Sequence, residues 1–185
     1  HGRGPQGARA LAALHPRRLW THRDAGETAV RGPAWAEELH EVDRWCRLLS
    51  YHGVVTDPED LRWPAPVGGA SPAGTAVVHP GASSGARRWP EPRFAEVARH
   101  LRGRGLRVVV TGSAEERGIA ERVARAAGLA PQEDLAGATG LSQLAGLVAE
   151  AHLVVCGDTG VAHLATAYGT PSVVLFGPSS PRVWG

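Results

Sequence analysis

The run Gly157-Asp158-Thr159-Gly160-Val161-Ala162-His163 places a carboxylate, a hydroxyl and an imidazole among glycines. It lies between the apolar stretch His152–Cys156 and the strand-like Pro171–Phe176. It reads as strand end, tight turn and helix start. Such a turn aims the unpaired N–H groups of a helix's first turn, and the positive end of its dipole, at an anion above the sheet. Asp158 or Thr159 also has an ordinary use as helix N-cap, and one can cap while the other faces a ligand. His163 falls off the apolar stripe within the first helical turn and is expected to face the mouth of the site. A lone histidine is nevertheless more often structural than catalytic.

Two further constellations carry chemistry. His79-Pro80-Gly81-Ala82-Ser83-Ser84-Gly85-Ala86-Arg87-Arg88-Trp89-Pro90 combines small residues, which let a backbone approach a phosphate, with hydroxyls at Ser83 and Ser84. Arg87 or Arg88 can neutralise the phosphate charge, and Trp89-Pro90 is expected to seat the next helix. Thr111-Gly112-Ser113-Ala114-Glu115-Glu116 puts carboxylates at a helix start. There they favour the dipole without any ligand, or accept hydrogen bonds from ribose or sugar hydroxyls. Neither Gly81–Gly85 nor Gly157–Gly160 matches G-x-G-x-x-G, and no G-x-x-x-x-G-K-[ST] occurs, which argues against dinucleotide and P-loop readings.

The elements that must hold these loops follow from periodicity. Strands are expected at Thr75–His79, Arg107–Thr111, His152–Cys156 and Ser172–Phe176, with a brief one at Asp134–Ala136. Helices are expected at Pro92–Gly103, Glu115–Ala127, Leu141–Ala149 and Val161–Tyr168. Short Val-rich strands alternating with helices predict a doubly wound, Rossmann-like parallel sheet of the α/β class, buried on both faces. Ligands bind such sheets outside the carboxyl ends of the strands, the edge on which all three constellations fall. Upstream, Pro33 is expected to open a helix striped by Trp35, Leu39, Val42, Cys46 and Leu49 and ending near Gly53. Residues 1–32 receive no assignment, and the Pro, Gly, Ala and Ser of 57–74 read as an interdomain linker.

The 185 residues are 43% hydrophobic and 21% charged, a globular composition. A net charge of +2 with scattered arginines makes nucleic acid a poor partner. The absence of lysine and asparagine and the abundance of Ala and Gly read as the codon bias of a GC-rich genome. Cys46 and Cys156 have no ligand-spaced partner, so neither a disulfide framework nor a zinc site is expected, and a reducing, cytoplasmic setting fits. No apolar run approaches the roughly 18 residues of a membrane span. With no Met at the start and an aromatic-rich loop at the end, both ends read as cut.

The motifs H-P-G-A-S-S-G-A-R-R-W-P, V-T-G-S-A-E-E-R, D-L-A-G-A-T-G-L-S-Q-L-A, C-G-D-T-G-V-A-H-L-A and L-F-G-P-S-S-P-R-V-W-G occur in that order over residues 75–185. Together they resemble the carboxyl-terminal half of the ADP-heptose:lipopolysaccharide heptosyltransferases, glycosyltransferase family nine. More faintly, the helix at His40–Leu49 does so too. The resemblance implies a two-domain GT-B enzyme that moves a sugar from a nucleotide-diphosphate donor to a glycan or envelope acceptor, with inversion and without a metal. Residues 1–56 would then be a remnant of the acceptor domain, 57–74 the linker and 75–185 the donor domain, truncated at its carboxyl end.

Carried over by position, Ser83, Ser84 and Arg87 would hold the diphosphate. Asp158, Thr159, Gly160 and His163 would meet the diphosphate and donor sugar, Glu116 (or Glu115) the ribose, and Thr139 with its neighbours the base. Many relatives carry Lys where Arg87 stands, which bears on the phosphate geometry. The catalytic base of the family is an Asp in the amino-terminal domain, in a region this chain is expected to lack. No cofactor is implied, since the ADP-linked sugar is a substrate. The expected partners are that donor and a glycan or lipid-linked acceptor, with at most peripheral association at the inner face of the cell membrane. The rivals are a GT-B nucleotide-sugar epimerase and a non-catalytic nucleotide-sugar-binding module.

Overall fold

The computed structural model describes residues 5–23, 31–66 and 72–185. Residues 67–71 of the expected linker lie outside that range. The chain divides into two compact units, residues 1–60 with 181–185, and residues 61–180.

In the first unit, Ala, Arg and Leu, all good helix formers, build α1 (Pro5–Ala12), for which periodicity had supplied no assignment. The next helix, α2 (Glu41–Tyr51), begins well after the expected start at Pro33. The reason is Arg44, whose side chain is 2% exposed. Its guanidinium donates to the carbonyls of Ala36, Glu37 and Leu39 at 3.0, 3.2 and 2.8 Å, pairs with the Glu41 carboxylate and lies 4.3 Å over the Trp35 ring. Carbonyls turned toward that fork are not available to a helical ladder. His40, with ψ 145°, breaks the helical path, and its Nδ1 accepts from the Val42 N–H. A short helix, α7 (Pro181–Trp184), also belongs to this unit.

The second unit is an α/β domain on a four-stranded, all-parallel sheet of order β2-β1-β3-β4. The strands are β1 (Thr75–His79), β2 (Arg107–Val110), β3 (Leu153–Gly157) and β4 (Ser172–Leu175). The helices are α3 (Glu91–Gly103), α4 (Arg117–Ala127), α5 (Leu141–Glu150) and α6 (Gly160–Tyr168). Register sets Val77 beside Val109 and Val154, and Val78 beside Val110 and Val155. Because side chains alternate between faces, Ala76, Val78, Val108 and Val110 meet Phe94, Ala98, Ala120 and Val123 of α3 and α4. Val77, Val109, Val154 and Cys156 meet Val148, Val161 and Ala165 of α5 and α6 on the other face. Full burial of Phe94, with the Trp89 ring edge-on to it at 5.2 Å, contributes about 2–3 kcal/mol. The expected strand at 134–136 is a single bridge between Val110 and Asp134, because the Leu135 carbonyl accepts from the Ala138 N–H in a turn instead of from the neighbouring strand.

Among the described residues, no helix is long and apolar enough to cross a membrane.

Candidate functional site

Parallel strands deliver four loops to one edge of the sheet: residues 80–90 after β1, 111–116 after β2, 158–159 after β3 and 176–180 after β4. At its centre, the loop after β1 closes on the end of β3. A side chain at Gly157 would place its Cβ 3.3 Å from the Arg87 carbonyl oxygen, so glycine there lets the two backbones approach. That approach sets the Arg87 Nη1 3.7 Å from the Asp158 Oδ2. The pair is asymmetric, since the Arg87 side chain is 43% exposed and that of Asp158 only 9%. Arg88 turns elsewhere and donates from Nε to the Ala82 carbonyl at 3.0 Å. Ser83 is exposed and Ser84 half-buried at the entry to the 3-10 turn Gly85–Arg87, whose Arg87 N–H bonds the Ser84 carbonyl at 3.0 Å.

Thr159 is the N-cap residue of α6, yet its side chain makes no capping bond. Its hydroxyl oxygen is buried without a hydrogen-bond partner of good geometry among the described residues, with the Cys156 thiol nearby. A Cβ built on Gly160 meets nothing within 4 Å, so the start of α6 is open. An uncapped helix start with space above it is a cationic pole suited to an anion. His163, one turn in, is exposed while Val161, Ala162 and Ala165 are buried. Burial pushes the Cys156 thiol up to about 12, helped by the Asp158 charge and opposed by the Thr159 hydroxyl, so it is not a nucleophile at neutral pH.

Glu116 and Glu115 part company. Glu115 is exposed, whereas the Glu116 carboxylate folds over Gly81 and its Oε2 accepts from the Ser113 N–H at 2.8 Å. Beside it lies a pair that motif reading did not single out. The buried His79 ring holds its Nδ1 3.0 Å from the Thr111 Oγ1 and its Nε2 3.9 Å from the Glu116 Oε2. The only signal in the sequence was a polar residue at the end of each of two apolar strands.

Thr139 is half-buried in the loop entering α5, separate from the pairs just described. Arg117 holds that loop by donating to the carbonyls of Ala136 and Gly137 at 3.2 and 3.1 Å. Next to it a groove of about 510 Å³ runs between α4 and residues 129–138, with Ala136, Ala138 and Pro131 in its walls.

Burial pushes the His79 pKa below its ordinary value, with the Glu116 charge acting in the opposite direction. The folded imidazole therefore stays neutral at pH values where the unfolded one, near 6.5, takes a proton. Stability is complete above that value and is lost as pH falls through it toward the lower folded value. A melting temperature that drops between about pH 7.5 and about pH 5.5 is expected, with a smaller drop in His79→Gln. Equal drops in both proteins would refute the assignment.

The model of Glycosyltransferase family 9 (heptosyltransferase) matches residues 35–185. Lipopolysaccharide heptosyltransferase 2 of Escherichia coli K12 is 40% identical over 106 residues, covering 55% of this chain and 30% of that protein. Lipooligosaccharide heptosyltransferase 2 of Haemophilus influenzae is 36% identical over 110 residues, covering 56% and 31%. The chain thus spans about a third of the length of these curated relatives. Among solved structures, the Veillonella parvula family 9 glycosyl transferase aligns with a TM-score of 0.67 at 25% identity, over 84% of this chain and 48% of that one. The E. coli heptosyltransferase WaaC with ADP aligns at 0.52 and 29% identity, over 59% and 35%. The parallel α/β sheet is that of the GT-B heptosyltransferases. With its family model matched across most of its length, the chain belongs to glycosyltransferase family 9, the heptosyltransferases.

Proposed function

We propose that the chain is the donor-binding portion of an inverting glycosyltransferase. It would take an ADP-linked, heptose-like sugar and serve transfer to a glycan of the cell envelope. The observation that carries this reading is the Arg87–Asp158 pair at the open start of α6, a guanidinium and free N–H groups converging on one edge of the sheet. Breaking the bond to the anomeric carbon leaves positive character on the sugar and negative charge on the departing diphosphate. Arg87 and the amides at Gly160 would meet that charge where it develops, with the hydroxyls of Ser83 and Ser84 alongside. Asp158, Thr159 and His163 would face the diphosphate and sugar. Glu116 would accept the ribose hydroxyls, and the groove beside Thr139 would take the base.

Inversion needs a base for the acceptor hydroxyl, and in this reading it comes from outside the chain. Residues 75–185 would carry the donor site, 57–74 the linker and 1–56 part of the acceptor domain. A solved relative that holds ADP supports the choice of nucleotide. Calorimetric titration of ADP and UDP into the folded chain tests the reading. Saturable ADP binding is expected, together with no sugar transfer by the chain alone. Absence of binding by either nucleotide, or turnover by the isolated chain, would overturn it.

A further inference from the structure

His79 closes β1, and Thr111 follows β2 directly, so the parallel register that pairs Val78 with Val110 brings the two side chains together at the strand ends. Both are buried, Thr111 at 0% and His79 at 7% exposure. A neutral imidazole carries one proton, and the surroundings decide where it sits. If Nδ1–H donated to the Thr111 oxygen, Nε2 would turn a lone pair toward the Glu116 carboxylate 3.9 Å away. If instead the Thr111 O–H donates to Nδ1, the proton is on Nε2 and its N–H dipole faces the carboxylate. Electrostatics favours the second arrangement.

The carboxylate is also shaped from below. A Cβ at Gly81 would fall 2.3 Å from the Glu116 Cδ and Oε1, so this glycine alone lets the group lie flat against the loop. Ser113 N–H holds Oε2, and Oε1 accepts no hydrogen bond among the described residues.

We propose that Thr111 and His79 form a positioning relay that, over Gly81, aims the Glu116 carboxylate at the hydroxyl pair of a ribose. The relay thereby makes the site prefer ribonucleotides to nucleotides lacking those hydroxyls. Neither residue touches the ligand. The inference rests on the reading of Glu116 as the ribose contact and deepens it.

The test uses the full chain, with calorimetry of ADP and of 2′,3′-dideoxyadenosine 5′-diphosphate. Thr111→Val and His79→Ala should each weaken ADP by about tenfold, the share of a well-aimed hydrogen bond to a charged group, and leave the dideoxy compound unchanged. Thr111→Ser restores the hydroxyl, and His79→Gln presents an amide N–H where Nε2 stood, so both should recover ADP binding. Equal weakening of the two nucleotides would show a merely structural role and overturn the relay, as would ADP binding that none of the variants changes. Should His79→Ala fail to fold by its melting curve, the Val and Ser variants at Thr111 decide alone. Loss of ADP binding by the unaltered chain would instead sink the donor reading beneath it, and the relay with it.

Discussion

Arg87→Ala is expected to weaken ADP binding about thirtyfold, the loss of about 2 kcal/mol of charge-assisted hydrogen bonding to the diphosphate. The same change should lower the melting temperature by no more than about 3 °C, because a half-exposed ion pair contributes at most about 1 kcal/mol to folding. Those two effects separate binding from stability. The 3.7 Å distance to Asp158 marks a loose pair whose cation is available to a ligand that competes for it. Arg87→Lys keeps a point charge but loses the planar fork, so it should fall between the two. Raising the salt concentration should shrink the difference between the unaltered chain and Arg87→Ala, since the contact is partly exposed. ADP affinity unchanged in Arg87→Ala, measured by calorimetry at low salt, would remove Arg87 from the site.

The second large effect concerns folding. Arg44→Leu should destabilise the first unit by about 3–5 kcal/mol, since it deletes the donor to three carbonyls and leaves the Glu41 carboxylate without its cation. A loss of that size is a large share of the stability of a small unit. Arg44→Lys keeps the charge but can no longer reach the three carbonyls in one plane, so it should recover only part. Urea unfolding followed by tryptophan fluorescence reads this out, because Trp35 and Trp45 lie against the arginine's network. ADP binding should survive, as every residue assigned to the donor site lies between residues 61 and 180. Wild-type unfolding in Arg44→Leu would show that the guanidinium is replaceable there.

Much of the sheet was legible because buried parallel strands are written as short Val-rich runs. Thr75–His79 coincides with β1 end to end, β2 and β4 each stop one residue short of expectation, and β3 is shifted by one residue toward the carboxyl end. The helices α3 to α6 were legible for a similar reason, as three- and four-residue steps of apolar side chains mark the faces that meet the sheet. The start of α2 was not. Trp35 and Leu39 continue its apolar stripe, but a buried arginine eight residues on from Ala36 turns the intervening carbonyls away from a helix, and nothing local announces that.

The loops after the strands stood out through their Gly, Ser and charged residues. Spacing could not say that Arg87 rather than Arg88 turns to Asp158, or that Glu116 rather than Glu115 folds inward. Each of those choices depends on what a neighbouring strand delivers. The Thr111–His79 contact is the clearest instance, since it joins residues 32 positions apart and exists only once β1 and β2 are in register.

The interior place of β1 has a bearing on how the chain comes off the ribosome. Its partner β2 emerges soon after it, whereas β3, which covers its other edge, lies far downstream and is followed by β4. During synthesis a two-stranded half-sheet would therefore wait with a row of unsatisfied amides and carbonyls along Ala76 to His79. That is an adhesive border of the sort that recruits other nascent chains. Slow translation just before the codon for Leu153 would prolong the hazard, and an early-acting chaperone would be of most use in that interval.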